Sequence, residues 1–259
     1  MLFRSGVIAS TDTHVSTPGA VSEEDWQGHT PQEATLEGRL KDSFLPARLK
    51  GNPGGLVGVW AVENSRDALF NAMQRRETFA TSGPRIRPRL FAGWDYAADA
   101  CAAADLVERG YAGGVPMGAD LPARPDGAGA PMLIVAAERD PAEGASPLAK
   151  LQVIKGWKND AGELHYEVFD VAGNVEQTAA IDPATGEVAG PGHGSLCAVF
   201  TDPDFDPDQS AYYYLRAVEV PSLRWSWAQC RERPEAERPA RCDNDQPKVI
   251  REMAWSSPV

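Results

Sequence analysis

Asp12 and His14, one threonine apart, are the pair in this chain best suited to hold a metal ion. They follow the apolar run Gly6-Val7-Ile8-Ala9-Ser10, which reads as a buried strand ending in polar chemistry. In a strand, side chains two apart share a face, so Asp12 and His14 project together from its C-terminal end. That is where β/α enzymes place catalytic groups. A carboxylate oxygen beside an imidazole nitrogen makes half a site for zinc, manganese or iron. The bland alternative is a surface turn held by an Asx-type hydrogen bond.

Other residues could join that chemistry. His29 lies in Trp26-Gln27-Gly28-His29, within the long polar stretch after the strand, and could reach back as an acid–base group or an added ligand. An exposed loop histidine is the competing reading. Arg75, Arg76 and Arg85 flank Thr81-Ser82-Gly83, a turn able to hold an anionic group through backbone N–H and guanidinium. Arg76 could equally close a helix C-terminus. His165 and His193 read as structural or solvent-facing. The alternating acids Asp202, Asp204, Asp206 and Asp208 suggest calcium, but the prolines at 203 and 207 favour a rigid turn. Trp94, Trp157, Trp225, Trp227 and Trp255 could line a sugar-binding face, although in a sandwich such residues are more often core.

The elements that must position these groups follow from pattern. Thr13 to about Gly51 is too long for an idle connection and reads as a functional loop. Leu56 to Ala61 is a second apolar strand. Asn64 or Ser65 caps a helix in which Ala68, Leu69, Ala72 and Met73 share one face, with Arg75-Arg76 at its end. From Ile86 onward short strands alternate with turns: Arg89 to Trp94, Met132 to Ala136, Ser195 to Phe200 and Tyr212 to Val220. Leu151 to Trp157 and Leu164 to Val171 form a hairpin across Lys158 to Gly162. Their even spacing predicts a β-sandwich.

Composition narrows the function classes. With 24 Gly and 21 Pro in 259 residues, many short strands and few long helices are expected. No apolar run approaches a membrane span, so a soluble chain is expected. A net charge of -12 lacks the basic stripe that nucleic acid requires. Cys101, Cys197, Cys230 and Cys242 contain no C-x-x-C, which argues against structural zinc. Cys230 and Cys242 flank a polar, Pro-containing segment and either staple it by a disulfide or stay reduced with the other two thiols.

The segment Gly6 to His14 resembles the last metal-binding motif of the polymerase-and-histidinol-phosphatase (PHP) superfamily. The resemblance continues through Asn52 to Ala61, Arg66 to Ile86, Phe91 to Trp94, Leu151 to Trp157, Asp202 to Pro207, Ala211 to Tyr214, Arg224 to Ser226 and Arg251 to Pro258. Together these blocks are similar to a bacterial domain of unknown function, family 3604, a distant PHP relative. The resemblance implies a hydrolase-like site with Asp12 and His14 as metal ligands. The family's earlier ligands, beginning with a His-x-His motif, have no counterpart here, and two ligands rarely hold a metal.

The expected fold class is α+β: the last β/α elements of a PHP-like metal-dependent barrel over residues 6–89, then a β-rich, sandwich-like domain over 90–259. Residues 1–5 are set apart. Leu2-Phe3-Arg4-Ser5 is what the end of a sequencing adapter would encode, so the frame is expected to begin inside a longer gene. The expected function is a fragment of a metal-dependent hydrolase of phosphoester type, inactive alone, whose intact form takes Zn, Mn or Fe and a small-molecule or ester substrate. A non-catalytic β-sandwich module binding carbohydrate or protein, or a degenerate paralogue, is the alternative. A periplasmic or secreted location is open if a signal peptide precedes the segment.

Overall fold

The computed structural model describes residues 5–44 and 47–259. The expectation for Met1 to Arg4 therefore falls outside the described residues, and so do positions 45 and 46 of the long loop.

Among the described residues fourteen strands follow in chain order: β1 (Leu56–Val59), β2 (Thr78–Thr81), β3 (Arg87–Gly93), β4 (Gly114–Pro116), β5 (Met132–Glu138), β6 (Leu148–Lys158), β7 (Leu164–Gly173), β8 (Ala180–Ile181), β9 (Val188–Ala189), β10 (Ser195–Thr201), β11 (Ala211–Glu219), β12 (Ser222–Leu223), β13 (Val249–Ile250) and β14 (Met253–Ser256). The α-helices are α1 (Leu36–Arg39), α2 (Arg66–Gln74), α3 (Leu106–Gly113) and α4 (Trp225–Arg231). A six-stranded sheet runs β1-β2-β14-β11-β6-β7 and a four-stranded sheet β10-β5-β3-β4; both are antiparallel and neither closes.

The two sheets pack face to face because alternate residues on each are apolar. Leu151, Val153, Leu215, Ala217 and Ala254 from the large sheet meet Leu90, Ala92, Leu133 and Val135 from the small one in a single core. Their neighbours Lys150, Gln152, Arg216 and Trp255 turn outward. Phe79 of β2 reaches this core across Gly58, where any Cβ would meet the Phe79 ring, so β1 must carry glycine there. β1 and β2, from residues 6–89, are thus hydrogen-bonded into the same sheet as β14, β11 and β6. The division at residue 89 falls within β3.

Several elements match their sequence signals. Ser65 caps α2, its hydroxyl accepting from the Ala68 N–H (3.3 Å). The β6–β7 hairpin turns at Asn159, whose side-chain oxygen accepts from Glu163 N–H (2.8 Å), with Gly162 left-handed. Two expectations changed. Met73 and Phe70 of α2 are largely exposed, and Ala72 alone in that helix is buried, because α2 lies at the margin of the sheet. The run Val7 to Ser10 is extended but not a ladder strand, as described below.

The long loop folds on itself through short helical turns and α1. Trp26, Leu36, Leu40 and Leu49 pack against Trp225 of α4 and the Cys230–Cys242 disulfide, forming a second core. Buried Arg224 donates to the Leu49 and Gly51 carbonyls (2.7 and 2.6 Å), and Arg39 to Gln229 Oε1 (2.9 Å). A second disulfide joins Cys101 to Cys197 on β10, with Cα atoms 5.8 Å apart.

Candidate functional site

The segment that carries Asp12 and His14 lies on the outer face of the six-stranded sheet, over β2. Val7 N–H donates to Ser257 Oγ (2.9 Å), Thr78 Oγ1 donates to the Val7 carbonyl (3.0 Å), and Gly55 N–H donates to the Ser10 carbonyl (2.9 Å). These tethers run mostly through hydroxyls rather than a ladder. Among the described residues, the backbones of Ile8 and Ala9 make no hydrogen bond, and the Ile8 side chain is 70% exposed. The physical reason is local: β2 already uses both its edges, on β1 and β14, so the segment stacks over the sheet.

Asp12 adopts φ 53°, which ends the alternation on which the sequence argument relied. Thr11 is buried against Gly54, whose Cα hydrogen is all that fits: a Cβ would lie 2.7 Å from Thr11 Cα, at φ +86°. Beyond this turn the Asp12 and His14 side chains are exposed.

The loop returns His29 to this turn. His14 N–H donates to the His29 carbonyl at 2.8 Å. His29 N–H in turn donates to Glu33 Oε2 (2.6 Å), and His29 Nε2 lies 2.7 Å from the Asn52 carbonyl. A carbonyl only accepts, so Nε2 carries a hydrogen, and in the neutral ring Nδ1 is then the nitrogen with the lone pair. A histidine ligand is commonly oriented in this way, by a carbonyl on its second nitrogen. The Trp26 ring packs edge-on against His29 at 5.0 Å.

One carboxylate and two imidazoles are donor types that suit zinc, manganese or iron. Among the described residues, however, no group of three or more His, Cys, Asp or Glu is drawn together tightly enough to hold a metal ion. The donors fit by type, not yet by convergence.

The arginines separate. Arg76 sits beside Gly6, at the opposite end of the extended segment from Asp12 and roughly 20 Å of chain away. Its Nε donates to the Gly118 carbonyl (2.8 Å). Arg85 follows the Ser82–Gly83 turn, which borders Val21 and Gly54. Its backbone N–H donates to Asp140 Oδ2 (2.7 Å), while its exposed guanidinium has no bonded partner among the described residues. The turn itself offers no free amides: Ser82 N–H donates to the Met253 carbonyl (2.9 Å) and Gly83 N–H to Thr81 Oγ1 (3.3 Å). His165 stacks on Trp157 at 5.5 Å, and His193 Nε2 meets Asn174 Oδ1 at 2.9 Å. Asp202 belongs to a buried trio, bonded to Lys155 Nζ and Tyr213 Oη (both 2.6 Å).

Behind the turn lies a cluster of carboxyls with no signal in the sequence. Burial, reinforced by Glu252 and Asp140 and opposed by Arg139, pushes Glu219 up to about 8. Burial also pushes Glu23 up to about 7, against the Trp225 N–H that it accepts. Glu252 is raised by burial, with the Ser82 hydroxyl opposing. Glu219 Oε1 is buried without a partner among the described residues. Glu23 lies about 200 positions from the others, so no spacing rule could have joined them.

Face-to-face antiparallel sheets, a helical cap and two disulfides define a β-rich α+β protein. The chain belongs to the family described as protein of unknown function (DUF3604), whose model matches residues 2–259. No curated protein and no solved structure matches it.

Proposed function

We propose that this chain is the C-terminal portion of a PHP-like metal-dependent hydrolase acting on a phosphoester or similar ester. The observation that carries the reading is the main-chain hydrogen bond from His14 to His29, which brings the backbone of a second histidine beside the Asp12-x-His14 turn. Asp12, His14 and His29 would hold a divalent transition metal (Zn, Mn or Fe), with upstream residues completing the set. Such a metal supplies an activated water and polarises the scissile group. Asn52 orients the His29 ring, and Arg85 offers an exposed cation for an anionic substrate group.

The surface supports a missing neighbour. Ile8, Val57, Val62, Phe70 and Met73 are exposed apolar side chains on the segment, β1, α2 and their connection. Upstream barrel elements would cover them. Two disulfides suit an oxidising compartment, hence a periplasmic or secreted protein. No helix among the described residues is long and apolar enough to cross a membrane.

The test is full-length protein loaded with manganese or zinc against a phosphoester panel. Turnover that disappears in Asp12→Ala supports the reading; equal rates in both proteins sink it. The exposure of Asp12 and His14 favours the second reading, a non-catalytic binding module. Full-length protein that purifies without stoichiometric transition metal would select that alternative.

A further inference from the structure

The outer face of the large sheet holds a cavity of about 280 Å³ that no part of the metal reading uses. Its floor is one row across three strands: Lys150 on β6 faces Val218 on β11, which faces Met253 on β14. Side chains two apart in a strand share a side, so Gln152 lies on the same face as Lys150. Asn174 and Thr178, from the segment after β7, and Arg251, just before β14, also line the cavity.

The polar groups are held in place. Gln152 donates to Asp170 Oδ1 (2.6 Å) and accepts from Arg216 Nε (2.7 Å). Lys150 Nζ meets Asp170 Oδ2 at 2.9 Å. Asn174 is fixed by His193 and by the Pro191 carbonyl. Arg251 is different. Its guanidinium makes one long bond, to the Ala179 carbonyl (3.3 Å), and no ion pair among the described residues.

Charge decides the class of ligand. Lys150 and Arg251 are the two cations that line the cavity, Arg216 is bonded to the lining Gln152, and Asp170 is the one carboxylate bonded to these groups among the described residues. The neighbouring Glu252 turns away to Ser82. A local surplus of positive charge in a chain of net charge -12 favours an anion. We propose that this cavity binds a small molecule through an oxyanion (carboxylate, sulfate or phosphate), with Arg251 and Lys150 as its charged contacts and Thr178 and Asn174 as neutral ones. The volume suits one compact molecule, not an extended polymer. The assignment stands whether or not a metal binds near Asp12.

Calorimetric titration of the purified chain in low salt with inorganic phosphate, sulfate and glucuronate tests it and separates the three sources. Saturable binding of at least one is expected, weakened tenfold or more by Arg251→Gln and by Lys150→Met. Arg109→Gln, an exposed cation on α3, should leave it unchanged. Thermal melts of each variant check that it is folded; Arg251 is exposed, so its replacement should not disturb the fold. No saturable binding of any of the three, or equal binding in wild type and Arg251→Gln, overturns the proposal.

Discussion

His14 and His29 are joined through the backbone, the N–H of the first donating to the carbonyl of the second at 2.8 Å. The bond exists because Gly28, at φ +86°, turns the chain where a Cβ would lie 2.2 Å from Glu33 Cβ. Gly28→Ala should therefore cost about 1–3 kcal/mol, through left-handed strain and displacement of Glu33. Urea unfolding measures it. An unchanged midpoint would show that Gly28 does not set the loop.

Stability should fall as pH rises. Glu23 and Glu219 have an ordinary value of 4.5, raised in the fold to about 7 and about 8. Below about 4.5 both carboxyls are protonated, folded or unfolded, and their contribution is fully present. Between the two values the unfolded chain loses protons that the folded one keeps, so stability is lost as pH climbs through 7 and 8. Glu219→Gln keeps the shape without the charge and should flatten this slope. Melting temperatures from pH 5 to pH 9, superimposable for both proteins, would contradict it.

Lys155 and Asp202 form an ion pair with side chains only 4% and 0% exposed. Burial works against the Asp202 carboxylate, but bonds from Lys155, Tyr213 and the Asp204 N–H outweigh it and hold its pKa below the ordinary range. Asp202→Asn would strand a buried ammonium and should cost about 3–5 kcal/mol. The double replacement Lys155→Met, Asp202→Leu should recover much of that. A double variant no better than the single would mean that shape, not charge, dominates.

The disulfides should contribute unequally. Cys101–Cys197 closes 96 residues and Cys230–Cys242 only 12. In the chain-entropy picture the longer loop contributes about 4–5 kcal/mol and the shorter about 3. Denaturant unfolding of the two paired Cys→Ala variants compares them. The reverse order would show that packing around Cys230 and Cys242 in the second core outweighs loop closure.

The sequence was readable wherever signals were local. Ser65 announces α2, Asn159 to Gly162 announce the hairpin, and Leu151 to Trp157 and Tyr212 to Val220 announce strands. β2 and β14 gave no such signal. Thr78 to Thr81 and Met253 to Ser256 are short and mixed, and become strands by pairing with each other across the length of the chain. Cys101 and Cys197 likewise meet only because β10 is brought to the turn at Ala100–Ala102.

At the candidate site, sequence alone determined which group types are available: one carboxylate, two imidazoles and guanidinium groups. Where they go was decided by tertiary structure. Asp12 leaves strand geometry because Thr11 is pressed onto Gly54; His29 returns because Gly28 and Glu33 fold the loop; Arg76 is lost to Gly118 at the far end. The Thr11–Gly54 and Arg76–Gly118 contacts join residues some forty positions apart, and their free energies depend on neighbours that no local pattern specifies.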